Sequence, residues 1–77
     1  MNKLELTERG KELIGVDLIG KIDTAINTNS RRRGDDLTFF VLNDVFCDIR
    51  DRAKEVNVPF KSLMGVVLIY LEEKDNE

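Results

Sequence analysis

The chain contains no histidine and no tryptophan, only one cysteine, Cys47, and only one proline, Pro59. Each shortage closes off a kind of chemistry. A lone cysteine forbids any disulfide within the chain. Without histidine the common zinc ligand sets cannot be assembled, and neither a Ser-His nor a Cys-His catalytic pair is possible. Cys47 falls mid-helix, away from the helix start that activates a thiol, and reads as a small residue at the edge of the core. No Gly-rich loop of the strand–loop–helix kind is there to cradle a phosphate. The expectation is a protein that is not an enzyme and uses no cofactor and no metal.

Long apolar runs are missing too. None approaches the ~18 residues of a membrane span. The start, MNKLELTERGKEL, lacks the apolar centre of a signal peptide. A cytoplasmic protein is expected, in a reducing compartment where a free thiol persists.

What is present points to helices. The 77 residues are 42% apolar and carry a net charge of −3 with a pI near 4.9. That suffices for one small domain with a core of its own, on which a partner subunit would be the natural support. The acidic balance argues against a nucleic-acid binder and suits a protein partner with a basic surface.

Three helical segments are expected, at about 7–26, 37–56 and 59–73, with a loop at 27–36. In the first, Ile14, Leu18, Ile22 and Ala25 share a face that Ile19 and Ile26 widen, and Thr7 can cap the start. Gly10, Gly15 and Gly20 weaken this helix or let another approach it closely. The string Leu6 to Leu13, LTERGKEL, resembles the start of the helix that follows the wing in some winged-helix regulators. In the second segment Phe39, Leu42, Phe46, Ile49, Ala53 and Val56 form a heptad-like seam, with Asp35 or Asp36 as N-cap. Opposite the seam, roughly 160° away, stand Asp44, Asp48, Asp51 and Glu55, with Asp48 spaced to pair with Arg52. Asn57 suits the left-handed residue that closes a helix, and Pro59 suits a helix start. The third segment has Phe60, Leu63, Met64, Val67, Tyr70 and Leu71 on one face, yet Val66, Leu68 and Ile69 are apolar as well. A helix apolar nearly all round is covered on more than one side, so Val66, Leu68, Ile69 and Tyr70 become candidates for a homodimer interface. The run GVVLIYLEE is β-branched enough to allow a strand instead.

The fold expected is therefore all-α: three helices, the second and third an antiparallel hairpin, the first packed across them, the whole dimeric. Three surfaces are candidates for function. The acidic row, Asp44, Asp48, Asp51 and Glu55, with Leu37 and Phe40 beside it, has the composition of a docking face for a basic partner. The same row is a weaker candidate for a metal, since no second ligand cluster converges on it. Arg31, Arg32 and Arg33 could contact a partner or a phosphate, although Asp35 and Asp36 compete for them. Arg33-Gly34-Asp35 also spells an adhesion tripeptide. Residues 53–67 resemble the helix-turn-helix pattern, with Ala53, Asn57, Val58, Leu63 and Val66 at its packing positions. The outward positions Pro59, Phe60, Lys61, Met64, Gly65 and Leu68 lack the side chains that read bases. These observations lead to the expectation of a small regulator or inhibitor that binds another macromolecule, in the style of phage and mobile-element accessory proteins. The alternatives are a helix-turn-helix DNA-binding regulator and an assembly subunit.

Overall fold

A computed structural model of the chain describes residues 8–75, of which 87% are helical. Four helices follow one another: α1 Glu8–Ile14, α2 Val16–Thr28, α3 Gly34–Val56 and α4 Phe60–Asp75. No strand occurs among the described residues, so GVVLIYLEE is helical within α4. The all-α expectation holds, but with four helices in place of three. Thr7, the expected first cap, lies outside the described residues.

The extra helix comes from a break in the first segment. Gly15 takes a φ of +89°, a conformation that side chains with a Cβ rarely adopt. Its N–H still bonds Lys11 O at 2.9 Å, and its own carbonyl accepts from Ile19 N at 2.9 Å. Between those bonds the chain turns. The Arg52 guanidinium fills the outside of the turn, 3.0 Å from where a Gly15 Cβ would stand. It donates to Leu13 O at 2.9 Å and Glu12 O at 3.0 Å, satisfying carbonyls left bare by the end of α1. Arg52 therefore does not pair with Asp48; its other partner is Glu55.

The loop to α3 is shorter than expected, because α2 continues to Thr28 and α3 begins at Gly34. Arg33 takes the N-cap position with no side-chain cap, and Asp35 and Asp36 sit in the first turn, where the helix dipole still favours them. Asn57 closes α3 in the left-handed conformation, φ 59°. Its N–H bonds Lys54 O at 3.3 Å and that of Val58 bonds Ala53 O at 3.0 Å, the paired closure of a Schellman motif. Pro59 stands just before α4, its carbonyl accepting from Ser62 N and Leu63 N.

The directions of the helices follow from their contacts. The α1–α2 junction meets Arg52, Lys21 meets Asp48, and Asn29 meets Asp44, so α2 packs on α3 with the opposite chain direction. Phe60 at the start of α4 lies against Phe46, while Leu71 and Lys74 at its end line one cavity with Leu37 and Thr38. Thus α4 also runs antiparallel to α3. The core is contributed by all four helices: Ile14; Leu18, Ile22 and Ala25; Val41, Val45, Ile49 and Ala53; Leu63, Val67, Tyr70 and Leu71.

Here the expected seam of α3 is corrected. The buried row steps by four, Val41–Val45–Ile49–Ala53, while Phe39 is 65% and Phe46 44% exposed. A helix pressed by neighbours on two sides buries the line that bisects them, and small residues on it let the axes approach closely. The phenylalanines are left on one shoulder. Cys47, expected at the core edge, is exposed. The radius of gyration, 11.8 Å, matches the roughly 11–12 Å of a compact chain this long. The extents, 34 × 33 × 19 Å, describe a slab.

Candidate interaction surfaces

The acidic row of α3 is largely occupied by its own chain. Lys21 Nζ reaches Asp48 Oδ1 at 2.9 Å. Asn29 Nδ2 donates to Asp44 Oδ2 at 3.1 Å and also to Ala25 O at 2.8 Å. Glu55 accepts from Arg52, and only Asp51 lacks a close partner, with Arg50 Nε 3.9 Å away. An open cleft of about 380 Å³ lies between α2 and α3, and its rim alternates Asp17, Lys21, Asp48, Asp51, Arg52 and Glu55. The hydrogen bond and charge of Asp48 raise the pKa of Lys21 above its ordinary 10.5. Charges of both signs answer one another here, so the row acts first as a seam between helices. Among the described residues no group of three or more metal-ligating side chains is placed to hold an ion.

The arginine loop is likewise tied down. Asn29 organises it: the side chain caps α2 and its Oδ1 accepts from Arg32 Nε at 3.3 Å. The Arg32 guanidinium lies 3.5 Å from the centre of the Phe40 ring, a cation–π contact. Arg33 folds back to donate to the carbonyls of Ser30 and Arg32. Arg31 alone extends into solvent without a bond among the described residues. The three guanidiniums therefore do not converge on a common point. Leu37 packs half-buried against the core, and Phe40 is half-buried in edge contact with Phe39 at 5.3 Å.

The four residues assigned to a dimer interface separate. Tyr70 is 5% exposed and its hydroxyl donates to Asp23 Oδ1 at 2.7 Å, tying α4 to α2 within the chain. Val66 packs against the core and Ile69 is half-buried. Leu68 is 40% exposed.

Leu68 belongs to a surface that periodicity alone did not reveal. Along α3, Phe39, Leu42 and Phe46 share one shoulder; along α4, Phe60, Met64 and Leu68 share the shoulder facing it. The rows join where the Phe46 and Phe60 rings meet, centroids 5.1 Å apart. Because the helices are antiparallel, Phe39 and Leu68 extend the same way from that contact, each about 10 Å on at 1.5 Å per residue. By helical spacing the two rows flank the groove between α3 and α4, with Phe39, Phe46 and Leu68 exposed. The available sequence signal was competition between two registers, the heptad-like Phe39–Phe46 seam and the four-step valine row. Only the second fits a helix covered from two sides.

Comparison with protein-family models, with curated proteins and with solved structures finds no match for this chain. Among the described residues no helix is long and apolar enough to cross a membrane.

Proposed function

We propose that this protein is a non-enzymatic interaction protein, a cytoplasmic regulator or inhibitor that binds another macromolecule through its helical surface and works as a homodimer. The observation that carries the reading is the uncovered strip on α3 and α4, with Phe39, Phe46 and Leu68 all well exposed. Single exposed apolar residues, such as Val16 here, are ordinary; a contiguous strip marks a contact surface. A second surface suits the macromolecular partner: the outer shoulder of α3, where Phe40 and its Arg32 lid stand beside Asp44 and Asp51. An aromatic centre with acidic neighbours favours a basic protein over nucleic acid. An accessory protein of a phage or mobile element is the setting such a small regulator fits.

The test is capture of partners by tagged protein from host extract, compared across variants that keep wild-type helicity. Phe40→Ala with Asp44→Lys and Asp51→Lys should abolish capture of any partner held by the shoulder. Phe46→Ser with Leu68→Ser should do so for one held by the strip. A captured set unchanged by both would overturn the reading.

The helix-turn-helix alternative draws on one specific observation: Ala53 and Leu63 are buried, Val58 packs on the core, and Asn57 is left-handed between them. Against it, Lys61 is the one cation at the outward positions of α4 that would face bases. A gel shift with a salt titration decides it: binding with a steep salt slope would replace the protein-partner reading. An assembly subunit would instead show oligomers larger than a dimer.

A further inference from the structure

We infer that the cavity where the end of α2, the start of α3 and the end of α4 meet is a binding site for a small amphiphilic anion, an oxyanion head on a short aliphatic tail. Its volume is about 310 Å³, at the small end of the roughly 300–1,000 Å³ of ligand pockets. Its less exposed lining is aliphatic: Ile26, Leu37 and Leu71. All three belong to the core or pack against it, so the fold holds them in place. Its exposed lining includes two cations, Arg33 and Lys74, and no carboxylate among the described residues lines it.

A lining with charge of one sign sets this cavity apart. In the cleft between α2 and α3, Lys21 and Arg52 stand among Asp17, Asp48, Asp51 and Glu55. Near the present cavity, Asp35 and Asp36 occupy the first turn of α3, and Glu72 and Glu73 precede Lys74, yet none of the four is part of the lining. Asp23, facing α4 from α2, accepts from the Tyr70 hydroxyl. Arg33 commits one nitrogen, Nη1, to the Ser30 and Arg32 carbonyls; Nε and Nη2 have no partner among the described residues. Lys74 Nζ lies 5.5 Å from the centre of the Tyr70 ring and forms no ion pair among the described residues. The polar lining is unused as well. Thr24 and Thr28 donate their hydroxyls to carbonyls four residues back. Half-buried Thr38 does not, and the Asn27 and Ser30 side chains make no hydrogen bond among the described residues either.

An oxyanion takes charge-assisted bonds from Arg and Lys and further bonds from hydroxyl and amide donors. A bare inorganic anion would leave the aliphatic lining wet, and a neutral apolar molecule would leave the cations idle. A short tail with an oxyanion head uses both. The cavity includes none of Phe39, Phe40, Phe46 and Leu68, so its ligand is tested separately from the protein partner.

Titration calorimetry of the full chain with sodium octanoate is the test, with octanol and acetate as controls that each lack one feature. Octanoate should bind at a single site, and each control at least about tenfold more weakly. Arg33→Gln and Lys74→Gln, both at exposed positions, should each weaken octanoate at least about threefold with helical content unchanged. Added salt should weaken it too, by screening the two cations. Octyl phosphate should displace octanoate, because the head is recognised as an oxyanion. Amide NMR shifts on binding should centre on Asn27, Ser30, Leu37 and Thr38. No saturable binding, octanol as tight as octanoate, or an affinity unchanged in both variants would overturn the inference. So would shifts centred on Phe46 and Leu68, which would put octanoate on the apolar strip. If a variant loses helicity, the amide shifts and the octanol control of the wild type decide instead.

Discussion

The two shoulders of α3 make opposite use of their surroundings. The shoulder facing α2 carries carboxylates, and three of the four find partners within the chain: Asn29, Lys21 and Arg52. The shoulder beside α4 carries Phe39 and Phe46, and both stay largely exposed. Acids on a helix suggest recognition and aromatics suggest core. Here the acids help to seal the fold and the aromatics are what the fold leaves open. A charged row can be satisfied by a neighbouring helix of the same chain, whereas this apolar row stays exposed among the described residues.

The largest contrast should come from truncating one residue on the buried row and one on the open shoulder. Ile49→Ala, at a fully buried position, should cost about 3 kcal/mol in urea unfolding. Phe39→Ala should cost less than about 1 kcal/mol at concentrations where the chain is monomeric, because most of its ring is already wet. Equal losses at the two positions would mean that Phe39 is part of the core after all.

Next in size is the polar seal. Arg52→Met keeps much of the side-chain bulk but leaves the carbonyls of Leu13 and Glu12 without their donor. A loss of about 2 kcal/mol is expected in the same measurement. A neutral result would show that water replaces the guanidinium and that the α1–α2 turn does not depend on α3. Glycine substitutions sharpen the point. Gly15→Ala should destabilise by about 1–2 kcal/mol, since φ is positive and the added methyl meets the guanidinium. Gly20→Ala, where a Cβ meets nothing within 4 Å, should stabilise by about 0.5–1 kcal/mol. Thermal unfolding that moved both variants in one direction would contradict the break at Gly15.

The smallest effect belongs to Lys21 and Asp48. The Lys21 pKa is raised in the folded state, so its contribution is fully present below 10.5 and is lost as pH rises through the folded value. The stability difference between wild type and Lys21→Met should shrink above that point and also shrink in high salt. A difference that grew with pH would mean the pair does not form.

Much of this fold is legible in the sequence because it is local. The face Ile14–Leu18–Ile22–Ala25 survives the break at Gly15, and Asn57 and Pro59 mark the turn between α3 and α4 by their own backbone preferences. The break itself is not local. It is completed by Arg52, which lies far along the chain, and the sequence around Gly15 holds no sign of that partner. The register of α3 failed for a related reason: both registers are apolar, and the choice depends on two neighbours packing at once. Among the candidate surfaces, the acidic row and the arginine run were visible as composition. What they do was not, because Lys21, Asn29 and Phe40 reach them only after folding.

The open shoulder of α3 with its neighbour on α4 is the proposed contact surface. Sedimentation equilibrium of Phe39→Ser, Phe46→Ser, Leu68→Ser in one chain, beside the wild type over the same concentrations, tests it most directly. A wild-type dimer and a monomeric variant with unchanged helical content are expected. A wild type that stays monomeric throughout, or a folded variant that still dimerises, would contradict it.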